Sequence, residues 1–172
     1  MNIANKLTLA RMIAIPFFIV SMYVFQTFEI AALIFVLASI TDWLDGYLAR
    51  KYHLITNFGK FADPLADKIL VLTAFILLVE KHYIPAWIVC IIVCRELAIT
   101  GLRLLLVEQG KVMAADWSGK IKTATQMFAI IFLLMNNFHV GNIFLYICLF
   151  FTIYSGIEYF YKNRSVFENL SS

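Results

Sequence analysis

Asp42-Trp-Leu-Asp45-Gly46-Tyr-Leu-Ala49-Arg50, followed after eight residues by Gly59-Lys-Phe-Ala-Asp63-Pro-Leu-Ala-Asp67, sets four carboxylates and several small residues inside an otherwise apolar chain. An ionised side chain at membrane depth costs about 2.5–3.5 kcal/mol or more, so four together imply a cationic partner. The surroundings are those of a membrane protein. Hydrophobic residues fill 62% of the 172 positions, aromatics fill 16%, and mean hydropathy is +0.84, more than a soluble core requires. A helix crossing a bilayer needs about 20 predominantly apolar residues. Six such runs occur, at 7–27, 30–50, 62–80, 84–107, 119–138 and 141–161.

The expected fold is therefore all-α, a polytopic membrane protein with six transmembrane helices in one domain over 1–172. The mixed apolar and polar stretch from Met1 to Arg11 reads as a short N-terminal interfacial segment. The apolar runs are too many for one signal peptide, and no small-residue cleavage site follows the first of them, so the whole chain is expected to be retained. Of the fourteen Lys and Arg, only Lys81 falls in an outer connection. The positive-inside rule then places both termini and the aspartate segment at the cytoplasmic face of the cell membrane. A net charge of +3 fits cytoplasmic anchoring and gives no reason to expect nucleic acid as a partner. Cys90, Cys94 and Cys148 lie in apolar runs without metal-binding spacing and read as buried thiols. His53, His82 and His139 sit at loops or span ends and read as solvated or interfacial. Trp43, Trp87 and Trp117 suit an aromatic belt near span ends.

On a helix, Asp42, Asp45, Gly46 and Ala49 fall at i, i+3, i+4 and i+7, one stripe; Gly59, Asp63 and Asp67 form a second at i, i+4 and i+8. Two adjacent helices bearing these stripes bring the carboxylates together. Oxygen ligands without His or Cys favour Mg²⁺, Mn²⁺ or Ca²⁺, and four carboxylates can hold two ions as phosphoryl-transfer sites do. Gly46, Ala49 and Gly59 leave room for a flat or extended ligand such as a nucleotide. Plain helix packing, helix capping and interfacial charge are the bland alternatives. A divalent-cation transporter is the rival from another class, opposed by the absence of acidic residues that would carry a path across the outer halves of the spans.

The two stripes resemble, position for position, the signature of the CDP-alcohol phosphatidyltransferase family. The resemblance implies a six-helix membrane enzyme, a homodimer, moving a phosphatidyl or similar group from a CDP-linked donor to an alcohol with release of CMP. It implies that Asp42, Asp45 and Asp63 ligate two Mg²⁺ or Mn²⁺ ions, and that Asp67 ligates or acts as general base. It further implies that Asp42, Gly46, Ala49, Arg50 and Gly59 line the donor site.

Polar residues beyond the stripes bear on the acceptor. Arg95 lies deep in its span, where an Arg is expected to face a partner or a watery cavity. Together with Arg103, Lys120 and Lys122 it suits a phosphorylated alcohol, since Arg grips phosphate bidentately and Lys as a point charge. Ordinary ion pairs, such as Arg103 with Glu96, are the plainer alternative. Asn5-Lys-Leu-Thr8-Leu-x-Arg11, Arg95-Glu-Leu-x-x-x-Gly-Leu-Arg103 and Gly119-Lys-Ile-Lys-Thr123 resemble those members of the family whose acceptor is glycerol 3-phosphate. Ala4 departs from them where proline is expected. This resemblance implies CDP-diacylglycerol and glycerol 3-phosphate as substrates, Thr8 and Arg11 near the donor head group, and Arg95, Arg103, Lys120 and Lys122 at the acceptor phosphate. Serine, an inositol phosphate or phosphatidylglycerol would be alternative acceptors for the same chemistry.

Overall fold

The computed structural model describes residues 3–24, 28–51, 57–108 and 116–164. These residues form six α-helices and no strand: α1 Ile3–Val24, α2 Glu29–Lys51, α3 Asn57–Glu80, α4 Ala86–Glu108, α5 Trp117–Leu134 and α6 Phe138–Lys162. Each coincides with one expected apolar run, its ends moved by a few residues. Leu7–Val24 in α1 and the whole of α6 are long and apolar enough to cross a membrane. α3 and α4 are similar in length, but Asp67, Lys68, Arg95, Glu96 and Arg103 interrupt them. Those charges gather around one cavity.

α5 and α6 form an antiparallel hairpin, α1 packs on α2 and α3, and α4 lies against α6 and α3. Phe18, Phe35, Leu70, Leu78, Ile88, Ile130 and Leu145 are fully buried where these helices meet. Where α3 and α5 end and α2 and α6 begin, Tyr83 stands edge-on to both Phe28 and Phe138, with centroids 5.4 and 4.7 Å away. α3 and α5 close there by one device. His82 (φ 61°) and Asn136 (φ 58°) turn left-handed, and the next amides, of Tyr83 and Asn137, reach back to the carbonyls of Leu78 and Phe132 at 3.0 and 2.9 Å. This is the Schellman arrangement, which satisfies carbonyls a helix end would otherwise leave bare.

Two expectations need correction. Residues 3–11 are not a separate interfacial segment but the first turns of α1, because Thr8 and Arg11 are buried in the bundle and hold these turns against their neighbours. Of the cysteines, only Cys148 is buried; Cys90 and Cys94 are exposed. Both lie on the outward face of α4, and apolar composition alone does not separate a lipid-facing position from an internal one. His82 and His139 are exposed, as are Trp87 and Trp117, in keeping with their expected places at the ends of spans.

Candidate active site

The site is assembled where α1, α2 and α3 meet α4, α5 and α6. On α1, Arg11 is 1% exposed and its Nη1 stands 2.6 Å from Oδ1 of Asp42 on α2. A guanidinium so deeply enclosed needs an anion beside it, and the first aspartate of the stripe supplies one. Thr8, one turn earlier, is fully buried. Asp67 on α3 is half-buried and lies in the electrostatic field of Asp42, Arg11, Lys122 and Glu96. The two ends of the aspartate pattern are thus joined in one electrostatic neighbourhood.

Asp67 also lines a cavity of about 560 Å³ with Arg95, Arg103, Lys120 and Lys122, the cations expected to serve an acceptor phosphate. The sequence places them on two helices, and the fold brings all four to one space. Arg95 donates from Nη1 to Glu96 Oε1 (3.1 Å) and from Nη2 to Ser155 Oγ on α6 (2.9 Å). Its guanidinium lies 5.6 Å from the ring centre of Tyr159. Nε of Arg95 is buried with no hydrogen-bond partner among the described residues. Lys122, 3% exposed, puts Nζ 2.5 Å from the same Glu96 oxygen. Glu96 therefore pairs with Arg95 on its own helix and, through Lys122, ties α4 to α5; the plainer alternative, an Arg103–Glu96 pair, does not form among the described residues. Arg103 and Lys120 remain exposed.

Four contributors escaped the sequence reading. Lys68 lines the cavity and donates to Thr100 Oγ1 on α4, and Thr100 donates in turn to the Glu96 carbonyl at 2.6 Å. Ser155 and Tyr159, both buried on α6, support Arg95. Tyr159 Oη also accepts from the Asp116 amide at 2.9 Å, just before α5 begins. Lys68 was legible through its position beside Asp67. Ser155 and Tyr159 give no such signal, being ordinary residues in an apolar run.

Asp45, Gly46, Ala49 and Arg50 lie within α2, and Gly59 and Asp63 within α3. The helical register keeps the two stripes as expected, while the side chains of these six residues lie outside the described residues. Among the described residues, no group of three His, Cys, Asp or Glu is gathered for a metal ion. The donor set of the two stripes is all carboxylate oxygen, which fits a hard divalent cation.

A cavity lined by the carboxylates Asp67 and Glu96 and by clustered cations, beside an aspartate stripe, has the chemistry to hold a phosphate group. The family comparison agrees: residues 1–154 match the CDP-alcohol phosphatidyltransferase family model, and the chain belongs to that family. Relatives resemble it along almost their whole length. It is 46% identical to the CDP-diacylglycerol–glycerol-3-phosphate 3-phosphatidyltransferase of Bacillus subtilis, over 94% of this chain and 95% of the relative. Proteins of the same name from Sodalis glossinidius and Rickettsia felis are 40% and 39% identical, the first over 98% of this chain and 99% of the relative, the second over 96% and 97%.

Proposed function

We propose that this chain transfers the phosphatidyl group of CDP-diacylglycerol to a hydroxyl of sn-glycerol 3-phosphate, giving phosphatidylglycerophosphate and CMP. What carries the reading is that Asp67, Arg95, Arg103, Lys120 and Lys122 line one and the same cavity. Five cations, Lys68 included, face the two carboxylates Asp67 and Glu96 there, an excess suited to a small dianionic alcohol. The near full-length likeness to relatives named for this reaction supports it.

Asp42, Asp45, Asp63 and Asp67 would hold Mg²⁺ or Mn²⁺, two ions as four carboxylates allow. The metal, when bound, neutralises charge on the donor pyrophosphate and on the departing CMP. The acceptor's phosphate is held by the cations of α4 and α5, which orients its hydroxyl toward Asp67. Asp67 takes the hydroxyl proton as the alcohol oxygen forms its bond to the phosphatidyl phosphorus. The bond from that phosphorus to the CMP oxygen breaks, and its electron pair leaves with CMP. Arg11 holds Asp42 in place, and Gly46, Ala49, Arg50, Gly59 and Thr8 form the donor side.

All six helices span the bilayer in this reading, as one domain with both termini in the cytoplasm. The donor's acyl chains then stay among lipids while its head group enters from the cytoplasmic face. The test is product formation by the purified protein in detergent. With CDP-diacylglycerol, glycerol 3-phosphate and Mg²⁺ or Mn²⁺, CMP and phosphatidylglycerophosphate should appear one for one and stop on addition of a chelator. CMP without the lipid product, or turnover indifferent to metal removal, would contradict it.

A further inference from the structure

We infer that Lys68 is a specificity-determining residue of the acceptor site, its Nζ binding the acceptor's phosphate while the Thr100 hydroxyl holds it in place. The inference rests on the acceptor reading given above and extends it to a side chain that reading did not require.

Charge compensation singles Lys68 out. Arg95 and Lys122 are each paired with Glu96, so much of their charge is met before any ligand arrives. Arg103 and Lys120 stand exposed. Lys68 is half-buried, lines the cavity, and among the described residues bonds to a neutral hydroxyl rather than to a carboxylate. An ammonium withdrawn from water calls for an anion. The Thr100 proton is committed to the Glu96 carbonyl at 2.6 Å, so the hydroxyl presents its lone pairs to Lys68 and fixes where Nζ lies. An ammonium has three donors; one is used on Thr100, and the others are available to phosphate oxygens.

Position adds a second argument. Lys68 follows Asp67 directly on α3, and both line the same cavity. The group that receives the proton and a group that holds the phosphate are thereby carried on one rigid helix.

The test compares KM for both substrates in the unaltered enzyme and in K68M, K68R and T100V. Loss of a charge-assisted hydrogen bond predicts that K68M raises KM for glycerol 3-phosphate by about tenfold or more. KM for CDP-diacylglycerol should stay nearly unchanged. K68R should recover part of the loss, and T100V, which keeps the charge but not its anchor, should give a smaller rise confined to glycerol 3-phosphate. Inorganic phosphate should compete with glycerol 3-phosphate in the unaltered enzyme and more weakly in T100V, which keeps the test open if K68M does not fold. An unchanged KM for glycerol 3-phosphate in T100V and in any folded Lys68 variant, or a larger effect on CDP-diacylglycerol, would overturn the assignment of Lys68 alone. Failure of the unaltered enzyme to use glycerol 3-phosphate would overturn the acceptor reading, and this inference with it.

Discussion

A carboxylate accepts a proton from an attacking alcohol only while ionised and within hydrogen-bond reach, and Asp67 is the described aspartate that lines the cavity. Asn has nearly the same shape but cannot take the proton. Asp67→Asn is therefore expected to lower kcat by about a hundredfold or more, with the helical circular-dichroism signal and detergent elution volume unchanged. Near-normal turnover would remove the general-base role. Arg95 was legible in the sequence because a charge deep in an apolar run has few innocent explanations. Its supports were not. Ser155 also bonds back to the Phe151 carbonyl at 2.6 Å, as serines in membrane helices commonly do, so its bond to Arg95 belongs to the fold rather than to any local pattern. Glu96 was visible as a polar residue beside Arg95, but its pairing with Lys122 depends on how α4 meets α5.

Helices place these side chains, and their contacts decide which substitutions they tolerate. The start of α5, which carries Lys120 and Lys122, is tied to α6 by several bonds. Ser118 donates to Glu158 Oε2 at 2.6 Å, and Lys162 reaches Asp116 and Glu158 at 3.2 and 2.7 Å. Near the other end of the hairpin, Gly141 has no room for a side chain. A Cβ there would stand 2.7 Å from Leu133 Cγ and 3.1 Å from its backbone nitrogen. Gly141→Ala should cost about 1–3 kcal/mol through overpacking, seen as a lower unfolding temperature in detergent. Gly101 is the control: a Cβ there meets nothing within 4 Å, so Gly101→Ala should be neutral or mildly stabilising. Equal effects at the two positions would contradict this packing. The number and order of helices were readable from apolar runs, which report length and composition. Which face of each run turns inward was not, since a bundle bathed in lipid is apolar on both sides. The misread Cys90 and Cys94 follow from that limit, and so does the N-terminal stretch, whose buried Arg11 gains its meaning only from Asp42 on the next helix.

Across the whole molecule, charge is segregated. Among the described residues, the end where α3 turns into α4 carries aromatic contacts and a small polar cluster, Tyr23 donating to Glu80 at 2.5 Å with Lys81 over the Tyr23 ring. The cations and carboxylates of the site gather at the opposite end. The positive-inside rule would place such a cation-rich end at the cytoplasm, where a soluble, doubly charged acceptor would be drawn to it. This cation-lined cavity is expected to select a phosphorylated three-carbon alcohol. The most direct test is to supply the purified enzyme with CDP-diacylglycerol and metal, and to measure lipid product with glycerol 3-phosphate, serine, an inositol phosphate and phosphatidylglycerol in separate reactions. Efficient product formation with glycerol 3-phosphate alone is the predicted result; preferred turnover of serine or phosphatidylglycerol, which have no phosphate monoester for the cavity to hold, would contradict it.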